Sequence, residues 1–263
     1  MVFLGVATVL FVTVQVSYDH LEPESPASPG ELSTLGHWFS GWMEFDSGWY
    51  VYIAEHGYDA QQEQAFDDGQ QSAIAYFPAY PLTVRQVARL TGYDYGAAAM
   101  LTTFSCGLAF ALLFWYWCRD RLSMMARRTA LVLLLVYPYA WFLYGSGYGD
   151  ALFLSVTIGA FLLLEHDHPV FAGLAGFVAL AARPTGTAVL LGLVAVALER
   201  RGVLTRDPSA RSEEHGWWTR ERARWHVHRG RFRLRDAGVL LAVGGLASFV
   251  YFCFTQFGDA FAF

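Results

Sequence analysis

The sequence predicts an all-α, polytopic transmembrane helical bundle, and three observations carry that prediction. Hydrophobic residues make up 55% of the chain and charged residues only 16%, a balance unlike that of soluble domains. Apolar stretches recur at roughly 1–17, 96–117, 129–145, 148–164, 169–182, 186–198 and 237–254, which gives about seven spans when short or broken ones are counted. The segments between them differ in the sign of their charge, as the loops of a membrane protein do.

Each element follows from its own composition. A hydrocarbon core takes about 20 helical residues to cross, so 169–182 and 186–198 read as two short spans divided at Arg183-Pro184-Thr185-Gly186. Met1–Val16 lacks a basic leader and a small-residue cleavage site, and reads as a first anchor instead of a signal peptide. The three cysteines, Cys106, Cys118 and Cys253, lie in or at the ends of spans and form no disulfide framework or metal-type pair.

Arginine sets the expected topology. Residues 118–128 carry Arg119, Arg121, Arg127 and Arg128, and 199–236 carry eleven more, so both segments are expected on the cytoplasmic side. An even number of crossings must separate them, which again favours splitting 169–198 in two. Residues 17–95 then form a large extracytoplasmic first loop carrying interfacial helices. From residue 18 to 95 there are twelve acidic residues against only Arg85 and Arg89. The Arg-rich segment is expected to touch anionic lipid headgroups, not nucleic acid.

Within the outer loop, Glu22–Gly30 is a proline-rich linker and Asp59–Gln71 an acidic, glutamine-rich surface segment. Between them the pattern predicts an aromatic helix from about Leu35 to His56. If Trp42–Ala54 is helical, Trp42, Asp46, Trp49, Tyr50 and Ile53 share one face. A carboxylate among rings at a bilayer interface is placed to act as a general base, although a helix cap within an aromatic belt explains the same residues. Phe77-Pro78-Ala79-Tyr80-Pro81 then turns the chain into a helix bearing Arg85 and Arg89. Guanidinium groups there suit a phosphate, on a substrate or on ordinary lipid.

Asp150, after Tyr144–Gly149, and Arg183 fall at the outer ends of spans. Ionisable groups in such places are paired structurally or serve a site. Arg85, Arg89 and Arg183 are the three arginines expected on that side. Gly145-Ser146-Gly147 fails as a nucleophile turn, and Glu165-His166-Asp167-His168 reads as a turn before it reads as a metal site. Asp67-Asp68 reads as solvated. No Gly-rich phosphate loop follows a strand, so no nucleotide fold is expected.

Taken in order, Trp42, Asp46, Trp49-Tyr50, Ile53-Ala54, Gly57-Tyr58 and Tyr76–Pro81 resemble the first outer loop of PIG-V-type mannosyltransferases, members of the GT-C class of integral-membrane glycosyltransferases. The resemblance continues through Tyr148–Phe153, Ala182–Gly186 and Phe257–Phe263. It departs at Asp150, where the family has glutamate, and at Pro184-Thr185. The chain stops directly after the Gly-Asp motif where relatives continue, so the resemblance implies a C-terminally truncated member.

The resemblance implies transfer of a hexose, mannose foremost, from a polyprenyl (dolichyl) phosphate carrier to a glycan or glycolipid acceptor on the extracytoplasmic face, with inversion. It implies Asp46 as the catalytic base, Arg183 and Arg85 for the leaving phosphate, Trp49 and Tyr50 against sugar or acceptor, Tyr80 in the substrate site, and Asp150 orienting an arginine or a hydroxyl. The lipid-linked sugar is the donor substrate; no protein cofactor is implied, and metal dependence is left open. Two rivals stand beside it. A transporter would share broken helices and edge charges but should show paired repeats, and a non-catalytic homologue could bind lipid-linked substrates.

Overall fold

The computed structural model describes residues 1–20, 40–58, 72–206, 225–228 and 233–263. It is helical almost throughout. Helix α1 spans Val2–His20, α2 Ser47–His56, α3 Ala79–Thr91, α4 Tyr95–Trp117, α5 Met124–Val136, α6 Asp150–Glu165, α7 Pro169–Ala182, α8 Gly186–Arg200 and α9 Val243–Phe257. Short 3-10 segments lie at Ser40–Trp42, Ala73–Ala75 and Pro138–Leu143, and a longer one, Leu234–Ala242, leads into α9. Among the described residues, the exception to an all-α chain is a small antiparallel ribbon, β1 (Leu204–Arg206) with β2 (Trp225–Val227), inside the Arg-rich segment. The linker 22–30 and the acidic stretch 59–71 lie outside the described residues.

Local chemistry sets the helix ends. Asp94 caps α4 by accepting the Ala97 amide at 2.8 Å, and Ser123 caps α5 through Ala126. Proline stops α5 early: Tyr137 precedes Pro138, a proline disfavours helical backbone in the residue before it, and Tyr137 takes ψ 130°. The expected span 129–145 is therefore a helix followed by a 3-10 turn. Arg183, extended at φ −157° before Pro184, divides α7 from α8 where the sequence places the break.

Among the described residues, two helical stretches are long and apolar enough to cross a hydrocarbon core, Tyr95–Trp117 and Leu234–Phe257. Leu112, Leu133, Phe171, Leu191, Tyr251 and Phe254 point outward from the apolar helices and remain exposed, while several close approaches between helices fall at glycines. A Cβ on Gly173 would lie 2.0 Å from the Gly238 carbonyl oxygen, and one on Gly245 would lie 2.0 Å from that of Phe177. Such close backbone approach, with bulky side chains outside, is how helices associate when the surroundings are as apolar as leucine.

Charges gather at the helix ends. The turn between α6 and α7 carries Glu165 and Asp167; Arg121 pairs with Glu165, and Arg201 and Arg235 pair with Asp167. Arg201 also reaches buried Asp236 at 2.8 Å. Glu165-His166-Asp167-His168 is thus a turn whose carboxylates anchor arginines. The opposite ends of α6 and α7 hold Asp150 and Arg183.

The aromatic helix expected from Leu35 to His56 is corrected. Residues 40–42 form a separate turn, Phe45 takes a left-handed φ of 56°, and α2 begins only at Ser47. Trp42 consequently leaves the face of Trp49 and Tyr50 and packs with Phe3, Phe110 and Tyr144. Asp46 occupies the N-cap position of α2, but its carboxylate makes no capping bond.

Candidate functional site

Asp46 is held by two tyrosines from distant parts of the chain. Its Oδ1 accepts the Tyr76 hydroxyl at 2.9 Å, and its backbone N–H donates to the Tyr148 hydroxyl at 3.2 Å. Tyr148 in turn donates to the Glu44 carbonyl at 3.4 Å, so one phenol closes the turn of residues 44–46. Among the described residues Oδ2 of Asp46 makes no hydrogen bond. Phe45 explains how the carboxylate is presented: a left-handed non-glycine residue redirects the chain immediately before Asp46, at a local cost of about 1 kcal/mol or more.

Rings build the wall behind it. Tyr50 meets Tyr76, Tyr80 and Tyr148 edge-on, with centroids 5.2, 5.2 and 6.2 Å away, and Trp49 stacks on Tyr76 at 5.8 Å. Edge-to-face packing of this kind is favoured by the ring quadrupoles. Tyr58 adds a bond from its hydroxyl to the Tyr76 carbonyl at 2.6 Å and packs on Phe249 and Phe252 of α9. Phe77 packs against Phe249 and Phe263, bringing the 76–81 and 257–263 segments together.

The second part of the site is an ion pair. Arg183 donates from Nη2 to Oδ2 of Asp150 at 2.5 Å, with both side chains partly exposed. Electrostatics join it to Asp46 through Tyr50. Burial first, then Asp150, Asp46 and Tyr148, oppose ionisation of the Tyr50 phenol, while Arg183 favours it; the net effect pushes it up to about 12. Burial together with the bond to Asp46 likewise raises Tyr76, which stays a protonated donor. Burial also raises the Glu44 carboxyl.

Several residues read as substrate contacts have other duties. Arg85 donates from Nε to the Ala54 carbonyl at 2.6 Å and from Nη2 to that of Ile53 at 2.9 Å, closing the C-terminal end of α2. Two of the donors expected to face a phosphate therefore meet carbonyl oxygens. Tyr80 is fully buried and bonds to the Ala99 carbonyl and Thr103, so it supports the site from inside. Trp49 and Tyr50 are buried as well, and the stacking partner of Trp49 is Tyr76 where a sugar was expected. Arg89 is exposed on α3. Asp46, Arg85, Asp150 and Arg183 are the expected site residues left partly open to solvent, and of these Arg85 is engaged by the α2 carbonyls. The partners of Asp46, Tyr76 and Tyr148, carry no role in the sequence reading.

The fold and this cluster define a class: an apolar helical chain presenting a tyrosine-held carboxylate near a guanidinium–carboxylate pair. Compared with protein-family models, curated proteins and solved structures, the chain finds no match in any of the three.

Proposed function

We propose that the chain is a membrane-embedded GT-C type glycosyltransferase that moves a hexose, mannose by resemblance, from a polyprenyl-phosphate carrier to a hydroxyl of a glycan or glycolipid. The observation that carries the reading is Asp46: one carboxylate oxygen is held by Tyr76, and the other makes no bond among the described residues. In this reading Oδ2 takes the proton of the acceptor hydroxyl as its oxygen attacks the anomeric carbon. The anomeric bond to the carrier phosphate breaks with inversion, and the phosphate departs with its electron pair. Arg183, steered by Asp150, meets the developing negative charge.

Exposed apolar side chains around close helix contacts support placing the apolar helices in a bilayer, and the arginine distribution supports the reading in which the Asp46 end is extracytoplasmic. Impermeant thiol labelling of cysteines placed at Leu90 and Asp120, in a chain otherwise free of cysteine, checks this. The two sites should label from opposite sides, and labelling from one side would refute the orientation. For the chemistry, Asp46→Asn in membranes supplied with polyprenyl-phosphate hexose should lower transfer at least about 100-fold, as loss of a general base does. Unchanged transfer would remove Asp46 from the reaction.

A further inference from the structure

We infer that Tyr76 and Tyr148 are positioning residues that together set the direction of the Asp46 carboxylate, an inference that rests on the proposed role of Asp46. The geometry carries it. Tyr76 engages the side chain at 2.9 Å and leaves Oδ2 open, whereas Tyr148 holds the backbone amide at 3.2 Å and the Glu44 carbonyl at 3.4 Å. Neither bond is local, since they bridge 30 and 102 residues of sequence. Both phenols border the ring of Tyr50, so they are fixed relative to each other by packing. Tyr76 is further fixed by the Trp49 ring and by the Tyr58 hydroxyl on its carbonyl.

The arrangement answers a physical problem. A carboxylate directly after the left-handed Phe45, at the start of a helix, would ordinarily turn back to cap the free amides of that helix. Asp46 does not, and the Tyr76 hydroxyl supplies the competing donor. A phenol to carboxylate bond is charge-assisted and stronger than a neutral one, so it can outweigh a cap. Tyr148 adds a second constraint: it sits two residues before Asp150, so the same chain turn that carries the ion pair also holds the amide of Asp46.

The test is a double-substitution cycle of Tyr76→Phe with Asp46→Asn, read as transfer of hexose from polyprenyl phosphate. Removing only the hydroxyl keeps the ring packing. Tyr76→Phe should lower kcat about 10- to 100-fold with KM within about twofold, since a small misplacement of a reacting group costs this much. In the Asp46→Asn background the same substitution should cost nothing further, because no base remains to be aimed. Equal losses in both backgrounds would mark Tyr76 as merely structural, and no loss in either would also overturn the inference. Tyr148→Phe is read in the same way.

A measurement without turnover separates this inference from the proposed function. With 3-fluorotyrosine at position 76, fluorine NMR follows titration of that hydroxyl, which should fall to lower pH in Asp46→Asn. An unchanged titration overturns the Tyr76 contact whether or not the chain transfers sugar; absent transfer with an intact contact overturns only the reaction.

Discussion

Arg183 donates from Nη2 to Oδ2 of Asp150 across 2.5 Å, tying the break between α7 and α8 to the first turn of α6. Asp150 also lies at the N-terminal end of α6, where the helix dipole favours a negative charge. Removing one partner strands the other at the end of an apolar helix. A fully buried pair broken this way costs about 3–5 kcal/mol; partial exposure brings Arg183→Ala down to roughly 1–3 kcal/mol. Thermal unfolding in detergent should show the double variant Asp150→Asn, Arg183→Gln less destabilised than the sum of the single changes. Strict additivity would mean the pair contributes no coupling.

Arg85 is expected to act through α2, not through phosphate. Its two bonds to the carbonyls of Ile53 and Ala54 close the helix that follows Asp46. Hydrogen bonds from a charged donor are worth about 1.5–3 kcal/mol, so Arg85→Ala should lower stability by roughly that amount. Arg85→Lys should recover only part, because an ammonium cannot span both oxygens as a fork does. Kinetically, KM for the proposed lipid-phosphate donor should hold at temperatures where the variant remains folded. A KM rise of about tenfold would instead return Arg85 to the phosphate.

The helices were legible because their signals are local. Long apolar runs and Pro184 as a breaker act within a few residues of themselves. Pro138 and the caps Asp94 and Ser123 carry no weight in the sequence reading, which runs 129–145 through as one span, although they are equally local. The helix expected from Leu35 was misplaced for the same reason. Periodicity continues through residues 42–46, but contacts of Trp42 with Phe3 and Tyr144 and the left-handed Phe45 set the backbone there. The candidate base was visible as an acid among rings, while its partners were not, being 30 and 102 residues away. Counting arginines could not reveal that Arg85 is claimed by carbonyl oxygens of a helix more than thirty residues upstream.

The arginine-rich end gives a pH dependence with a definite sign. Desolvation pushes the Asp167 carboxyl up, but Arg201 and Arg235 outweigh it and hold the group below its ordinary value of 3.8. A depressed folded-state pKa contributes stability that is present above the unfolded value and is lost as pH falls through the folded one. The loss attributable to this residue therefore falls below about pH 4. Asp167 also adopts φ 65°, which asparagine tolerates, so Asp167→Asn removes the charge while keeping the turn. The variant should be less stable than wild type near neutral pH, with the gap closing below pH 4. A gap constant down to pH 2 would show that the arginines do not act on Asp167 through its charge.

Close helix contacts give the sharpest steric expectation. A Cβ at Gly107 would sit 1.9 Å from the Leu143 carbonyl oxygen, and one at Gly245 would sit 2.0 Å from that of Phe177. Both obstacles are backbone, so relief requires a helix or the Pro138–Leu143 turn to move, not a rotamer change. Overpacking typically costs about 1–3 kcal/mol, and fixed backbone puts these sites at or beyond the upper end. Gly107→Ala and Gly245→Ala should accumulate poorly in membranes and unfold at lower temperature. Gly159, inside α6, is the matched control: its Cβ would meet only Leu113 Cδ1 at 3.8 Å, an ordinary contact. Replacing a glycine inside a helix by alanine favours the helix by up to about 1 kcal/mol. Gly159→Ala should therefore match or exceed wild type in detergent melts, and equal damage at all three positions would mean that propensity or insertion, not close packing, sets the outcome.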